Sequence, residues 1–381
     1  MRIRARHYAT GARLDLLLEG GRIQSVELVS ETTPDLETEW MAPAFFDLQI
    51  NGCDGIGFSS ADLTIADVRR VVEVCRRHGI VELLPTVITN SSSVLVQCLG
   101  TLRAARESDT ALARAIPGLH LEGPYISPED GPRGAHPRQH VRPPDWDEFL
   151  RLQEAAGGSI RLVTLAPEHD GALPFIEKLA AAGVVVALGH TGADGPRIRD
   201  AIRAGARLST HLGNGAHATL PRHSNYIWEQ LAADELWASI ICDGHHLPPS
   251  VIRCILRVKT PARTILTCDA SSLAGLSPGR YTTWDQEFDV VPEGKIVVPG
   301  TAYLAGSWAF VDRCVENVLR LGETSLSDTL DMAGARPRAL LGMPARSLEA
   351  GQPADVILFD WSSGGEWQLR KTLAAGRLIE A

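Results

Sequence analysis

Apolar positions along this chain follow two different rhythms. At both ends they come in short alternating stretches broken by turns. LDLLLEGGRIQSVELV near the start reads as a hairpin. LEAGQPADVILFDW and WQLRKTLAAGRLIEA near the finish read as short strands around turns. A β-rich start and a β-rich finish predict one small β domain built from both ends, residues 1–42 and 343–381. A central domain, residues 43–342, is then inserted between them.

The centre has the second rhythm. Short apolar runs recur, each followed by a helix-like segment. They are VELLPT, AIPGLHLEG, RLVTLAPE, VVVALGHTG, ARLSTHLGN, WASIICDGHH and TILTCDASS, preceded by APAFFDLQING. Amphipathic stretches such as ADVRRVVEVCRRHG, LPFIEKLAAAG and DGPRIRDAIRAG lie between them. Strand–helix alternation repeated about eight times predicts an α/β fold, a (β/α)8 barrel with its helices outside. The terminal pieces would add a small β-sandwich. A doubly wound open sheet is the rival, but no GxGxxG opens a helix after the first strand.

Polar residues gather at the ends of the apolar runs. Glu122 follows GLHL, His190 follows VVVALG, His211 follows ARLST, His246 closes IICDGH and Asp269 follows TILTC. In a parallel barrel those strand ends meet at one face, where active sites lie. One carboxylate and two imidazoles, Glu122, His190 and His211, make a first shell for one divalent ion such as zinc or iron. Such an ion lowers the pKa of bound water to about 7. Asp269 can then carry a proton from that water to a leaving group. The residue types suit metal-assisted hydrolysis.

Composition narrows the setting. The 381 residues are 44% hydrophobic and 22% charged, with a net charge of -9, which argues against a nucleic-acid partner. Seven cysteines without a CxxC fit buried thiols in a reducing cytoplasm. No apolar run approaches the roughly 18–20 residues of a membrane span, and the first residues lack a secretory pattern. GHTGAD lacks the GxxxxGK[ST] of a nucleotide loop. His7, His78 and His140 read as surface residues. His217, His223 and His245 are candidates for the pocket wall with no role attached. Cys53, Cys242 and Cys268 read as packing residues.

The words around the polar residues are more specific. GLHLEGPYI, RGAHP, VTLAPE, GHTGA, STHLGNG, DGHH, TCDA and LAGS occur in that order. The series resembles the N-acetylglucosamine-6-phosphate deacetylase family of the amidohydrolase superfamily. The resemblance runs from about residue 42 to GARPRALLG near 342, and LEAGQPADVILFD resembles the small β domain of that superfamily. It implies that Glu122, His190 and His211 hold the metal and that Asp269 is the general acid/base. Ala135, His136, Asn214, Gly215 and His246 would touch the sugar. Arg222 would take the sugar phosphate, and Leu304, Ala305 and Gly306 would close over the substrate. Relatives are often dimers in which one subunit's arginine reaches the other's phosphate, so a homodimer is expected.

Two stretches modify that picture. ATLPRHSNYIWEQ departs from the family around Arg222, with His223, Asn225, Tyr226 and Trp228 as unusual neighbours. It is either a repacked loop or a changed distal pocket. In DLQING, Gln49 and Asn51 stand where many superfamily members carry His-x-His. Amides are poor metal donors, so one ion per chain is expected, with Gln49 and Asn51 hydrogen-bonding nearby groups. His120 shares a strand face with Glu122 by alternation and is a candidate to support it. The expected reaction is loss of acetate from an N-acetylated amino sugar, foremost the 6-phosphate. A same-fold hydrolase of an unphosphorylated N-acyl sugar or cyclic amide, or a catalytically silent binding protein, stays open.

Overall fold

Eight parallel strands form the centre of the computed structural model, which describes residues 1–283, 286–301, 303–362 and 366–380. In chain order they are Phe45–Ile50, Ile80–Ile88, Leu119–Glu122, Ile160–Leu165, Val185–Leu188, Ala206–Ser209, Trp237–Ile240 and Thr264–Leu266. Neighbours in sequence are neighbours in the sheet throughout. These are the eight apolar runs of the sequence. The second is buried at all nine positions, as a parallel strand covered on both faces must be.

The outer helices follow from the amphipathic stretches. Ile65–Arg77 buries Val68, Val71, Val72 and Cys75, a stripe at helical spacing. Thr64 and Asp67 close its start as a capping box. Ala172–Ala181 and Gly195–Ala204 bury their apolar stripes in the same way. No helix among the described residues is long and apolar enough to cross a membrane.

Strands from both chain ends combine in one seven-stranded sheet. Leu36–Pro43 lies between Arg2–His7, which runs parallel to it, and Val356–Trp361, which runs antiparallel. The first hairpin bends back so that Ile23 and Gly21 bond to Gln352 and Ala354. The folded sheet encloses its own core, including Ile3, Leu16, Met41, Val356 and Leu373. A second small sheet was not foreseen. Gly279–Thr283, Gln286–Val291 and Lys295–Val297 form a three-stranded antiparallel insert after the last barrel strand.

The end of the barrel remote from the strand tips is plugged by charge. Glu82, buried on the second strand, receives Arg338 and Arg346, and the Arg338 guanidinium lies over the Phe46 ring.

The barrel closes where its first and last strands meet. Among the described residues the seam has no regular ladder, only a parallel bridge between Ile50 and Ala270. Asp269 N–H donates to Gln49 O at 3.1 Å, and Asn51 N–H donates to Ala270 O at 2.8 Å. Beneath them the Asp47 carboxylate, fully buried, accepts from the Gln49 N–H at 3.0 Å, the Cys268 N–H at 2.9 Å and the Thr267 hydroxyl. Burial pushes the Asp47 carboxyl up, although those donors oppose the shift. Asp47→Ala should destabilise the chain by roughly 2–4 kcal/mol, because three buried donors lose their acceptor. Urea unfolding tests this; an unchanged midpoint would mean the seam does not depend on Asp47.

Candidate active site

The polar strand-tip residues turn inward through unusual backbone. Glu122 ends the third strand. His190 and His211 follow the fifth and sixth strands, and Asp269 follows the eighth. Their φ angles are 51°, 31° and 53°, the left-handed region that non-glycine residues avoid. Such a conformation costs on the order of 1–3 kcal/mol per residue and gathers at functional sites. Three of them at one barrel mouth mark this as the place to look for chemistry.

There, three acceptor atoms meet. His190 Nε2 and His211 Nε2 each lie 3.2 Å from Glu122 Oε1 and 3.1 Å from one another. All three residues are buried. Two ligands of one tetrahedral ion, each about 2.0–2.2 Å from it, stand roughly 3.3–3.5 Å apart. The spacing therefore fits a single shared cation. His190 Nδ1 donates to Pro132 O at 2.8 Å, which turns the bare Nε2 toward that cation. His211 Nδ1 is buried without a partner among the described residues. A second grouping, Glu122, His136 and His190, has donor atoms within 4.8 Å of one another. That spread is looser, and His136 Nδ1 is engaged by Thr89 Oγ1 at 2.8 Å, so the His211 set is the better shell.

Charge follows the geometry. With no cation between them, burial pushes the Glu122 carboxyl up, but the His190 and His211 rings against it outweigh that and hold it well below the usual range. Burial lowers His211, yet Glu122 and Asp269 raise it above an ordinary imidazole. Burial drives His136 down to about 3 and His120 down to about 4, so both rings are neutral near pH 7. Asp269 is pushed up to about 6 by burial and by the Glu122 charge.

Gln49 and Asn51 serve Asp269. Gln49 Nε2 donates to Glu122 Oε1 at 2.8 Å and to Asp269 Oδ1 at 3.0 Å. Asn51 Nδ2 donates to the same Asp269 oxygen at 2.7 Å. Asp269 Oδ2 takes no part in these bonds. Asn51 Oδ1 is buried and has no partner among the described residues. His120 lies one layer below Glu122, between Thr86 Oγ1 at 3.3 Å and Thr164 Oγ1 at 2.8 Å.

A cavity of 650 Å³ opens above this floor. Its lining includes Asn51, Glu122, Ala135, His136, His190, His211, Asn214, Gly215, His246, Asp269, Leu304, Ala305 and Gly306. The small insert adds Gln286, and the 130–134 loop adds Asp130 and Arg133, none of which stood out in the sequence. Asp243 was missed as well. It accepts from His246 Nδ1 at 2.8 Å, and its carboxyl is held down to about 2 against burial by that partner. Its place three residues before His246, in DGHH, was the available signal.

Arg222 is not brought into this group. It is exposed and absent from the cavity lining. Its unusual neighbours have local tasks. Asn225 caps the helix Tyr226–Ala232. The Tyr226 hydroxyl accepts the His217 N–H at 2.8 Å, and His217 Nε2 meets Glu129 at 2.9 Å. Trp228 is 56% exposed. Among the histidines set aside earlier, His245 lines the cavity and His223 is exposed outside it. His78 is half-buried, stacked on Phe310 and bonded to Asp312.

Two outcomes follow from this geometry. Gly215 has φ 56°, and a Cβ there would stand 2.8 Å from His190 Nδ1. Gly215→Ala should weaken divalent-ion binding about 10–100-fold by displacing that ring; calorimetric titration with zinc checks it, and wild-type affinity would refute it. In the metal-free chain, Asp269 keeps its proton up to about pH 6 when folded, against an ordinary value of 3.8 when unfolded. The folded chain then binds more protons in that window, and Asp269 contributes a loss of stability as pH rises through it. Asp269→Asn should remove that contribution from the thermal-unfolding profile between about pH 4 and 6; coincident profiles would contradict the raised value.

No protein-family model matches the chain. N-acetylglucosamine-6-phosphate deacetylase of Bos taurus is 35% identical over 390 residues, covering 96% of this chain and 91% of that protein. N-acetylgalactosamine-6-phosphate deacetylase of Escherichia coli O157:H7 is 30% identical over 348 residues, covering 91% and 90%. The crystal structure of N-acetyl-D-glucosamine-6-phosphate deacetylase from Mycobacterium smegmatis superposes with a TM-score of 0.88 at 30% identity, covering 100% of both chains. With that ancestry and a Glu/His/His floor suited to a divalent cation, the chain belongs to the N-acetylglucosamine-6-phosphate deacetylase family of amidohydrolases, enzymes that hydrolyse a carbon–nitrogen bond.

Proposed function

We propose that this enzyme hydrolyses N-acetylglucosamine 6-phosphate to glucosamine 6-phosphate and acetate, with one zinc ion per chain held by Glu122, His190 and His211. The observation that carries the reading is the convergence of those three acceptor atoms within 3.2 Å on the floor of a sugar-sized cavity. When bound, the ion supplies a Lewis acid and water activated near neutral pH. Asp269 does the proton work. Its Oδ1 is fixed by Gln49 and Asn51, which leaves Oδ2 to accept a proton and deliver it to the departing nitrogen. Asp243 orients His246, whose other nitrogen is left for the substrate. Ala135, His136, Asn214, Gly215, Leu304, Ala305 and Gly306 would surround the sugar.

The phosphate draws support from relatives. A single-residue mutant of the Mycobacterium smegmatis enzyme was solved in complex with N-acetyl-D-glucosamine-6-phosphate, and it shares 31% identity across 100% of this chain. The E. coli relative acts on the galactosamine epimer, so both epimers belong in the assay. An exposed Arg222 suits a homodimer in which it serves a neighbouring copy's cavity. The same exposure favours a second reading, an unphosphorylated N-acyl amino sugar. Seven free cysteines, six of them buried, support a cytoplasmic setting.

Acetate release from the phosphorylated and plain sugars separates the readings. The zinc-loaded chain should prefer the 6-phosphate by about 100-fold in kcat/KM, as expected for a charge-assisted phosphate contact. Asp269→Asn should lower kcat by roughly 10²–10⁴-fold. Equal or better turnover of the plain sugar would transfer the assignment to the second reading. Two tightly bound ions per chain by metal analysis would overturn the one-ion site.

A further inference from the structure

The metal-site floor has one aliphatic wall built into the barrel itself. Ile88 is the last residue of the second strand and pairs in register with Glu122. Two positions earlier, Thr86 pairs with His120, and their side chains meet inside the barrel at 3.3 Å. Side chains two apart on a strand share a face. Ile88 and Glu122 therefore project inward together, one layer higher. Ile88 is 5% exposed, and that remainder lines the cavity beside Asn51, Glu122 and His136.

Its position is rigid. The Ile88 N–H donates to Ser59 Oγ at 2.8 Å. The next residue, Thr89, holds His136 Nδ1 at 2.8 Å. A β-branched side chain adds stiffness at χ1. The other aliphatic lining residues, Ala135, Ala216, Val298, Leu304 and Ala305, come from outside the barrel strands.

A scissile acetamide brings two unlike groups to this floor. Its nitrogen side carries the sugar and must reach Asp269. Its acyl side carries a methyl group that needs an apolar neighbour, and the surrounding groups are Glu122, Asn51 and two imidazoles. We propose that Ile88 is the specificity-determining residue for the acyl group, closing the space beside Glu122 to chains longer than acetyl. This inference rests on the deacetylase reading.

The test compares N-formyl, N-acetyl, N-propionyl and N-butyryl forms of the same amino sugar 6-phosphate on the zinc-loaded enzyme. One methylene in an apolar pocket discriminates by about 10–200-fold. Wild type should therefore lose at least about tenfold in kcat/KM from acetyl to propionyl. Ile88→Ala should raise the propionyl-to-acetyl ratio by about tenfold or more, with Ile88→Val between the two. The ratio is blind to a general loss of folded enzyme, which lowers every substrate alike, and Ile88→Val supplies it if Ile88→Ala does not fold. A ratio unchanged within about twofold in an active variant overturns the role of Ile88 and leaves the deacetylase reading standing. A wild-type chain that turns over none of the N-acyl sugars overturns both.

Discussion

The closure of the barrel between its first and last strands sets the geometry of everything above it. Seven of the eight strand contacts are parallel ladders, three of them with a register shift; the eighth is a seam of one bridge and a buried carboxylate. Asp47 gathers donors from both sides of that seam and so fixes the first strand against the segment after the eighth. Two residues above Asp47 stands Gln49, and two residues above Thr267 stands Asp269. Their meeting at 3.0 Å is a consequence of the registry below. A one-residue slip at the seam would turn those side chains away from each other.

From that registry comes the division of labour at the mouth. The first strand gives amides, the third a carboxylate, the fifth and sixth imidazoles, and the eighth a second carboxylate. The two rings around Glu122 hold its carboxyl low, and its charge adds to burial in raising Asp269 when no cation is bound. A cation between Glu122 and the histidines would quench that repulsion. The amides of Gln49 and Asn51 hold one Asp269 oxygen without adding charge of their own.

Much of this was readable in the sequence because burial leaves a plain mark. A parallel strand covered on both sides is a continuous apolar run, and a polar residue closing such a run is conspicuous; Glu122, His190, His211 and Asp269 all stood out this way. What stayed hidden depends on backbone angles and on contacts between distant segments. Nothing in the letters of GHTG or THLG announces a histidine at φ 51° or 31°. Asp243 carries no mark of its own in the letters; its bond to His246 gives it a task. The first strand of the insert, Gly279–Thr283, buries none of its side chains, and the short alternation of Gln286–Val291 gives only a weak strand mark by itself. Arg222 has the right spacing from His211, but spacing does not say whether a loop folds over its own cavity or away from it.

The sheet assembled from both chain ends has a temporal side. Leu36–Pro43 pairs with Val356–Trp361, and about 310 residues separate the two. At a synthesis rate of about 5–20 residues per second, the earlier strand waits roughly 15–60 s for its partner. During that interval Trp40, Met41 and Ala42 have an open edge and an uncovered apolar face. Three charged side chains on the same stretch and its flank, Asp35, Glu37 and Glu39, keep that edge from inviting another nascent chain. The strands from Val356 onward thus act as a lock on a sheet begun some 310 residues earlier.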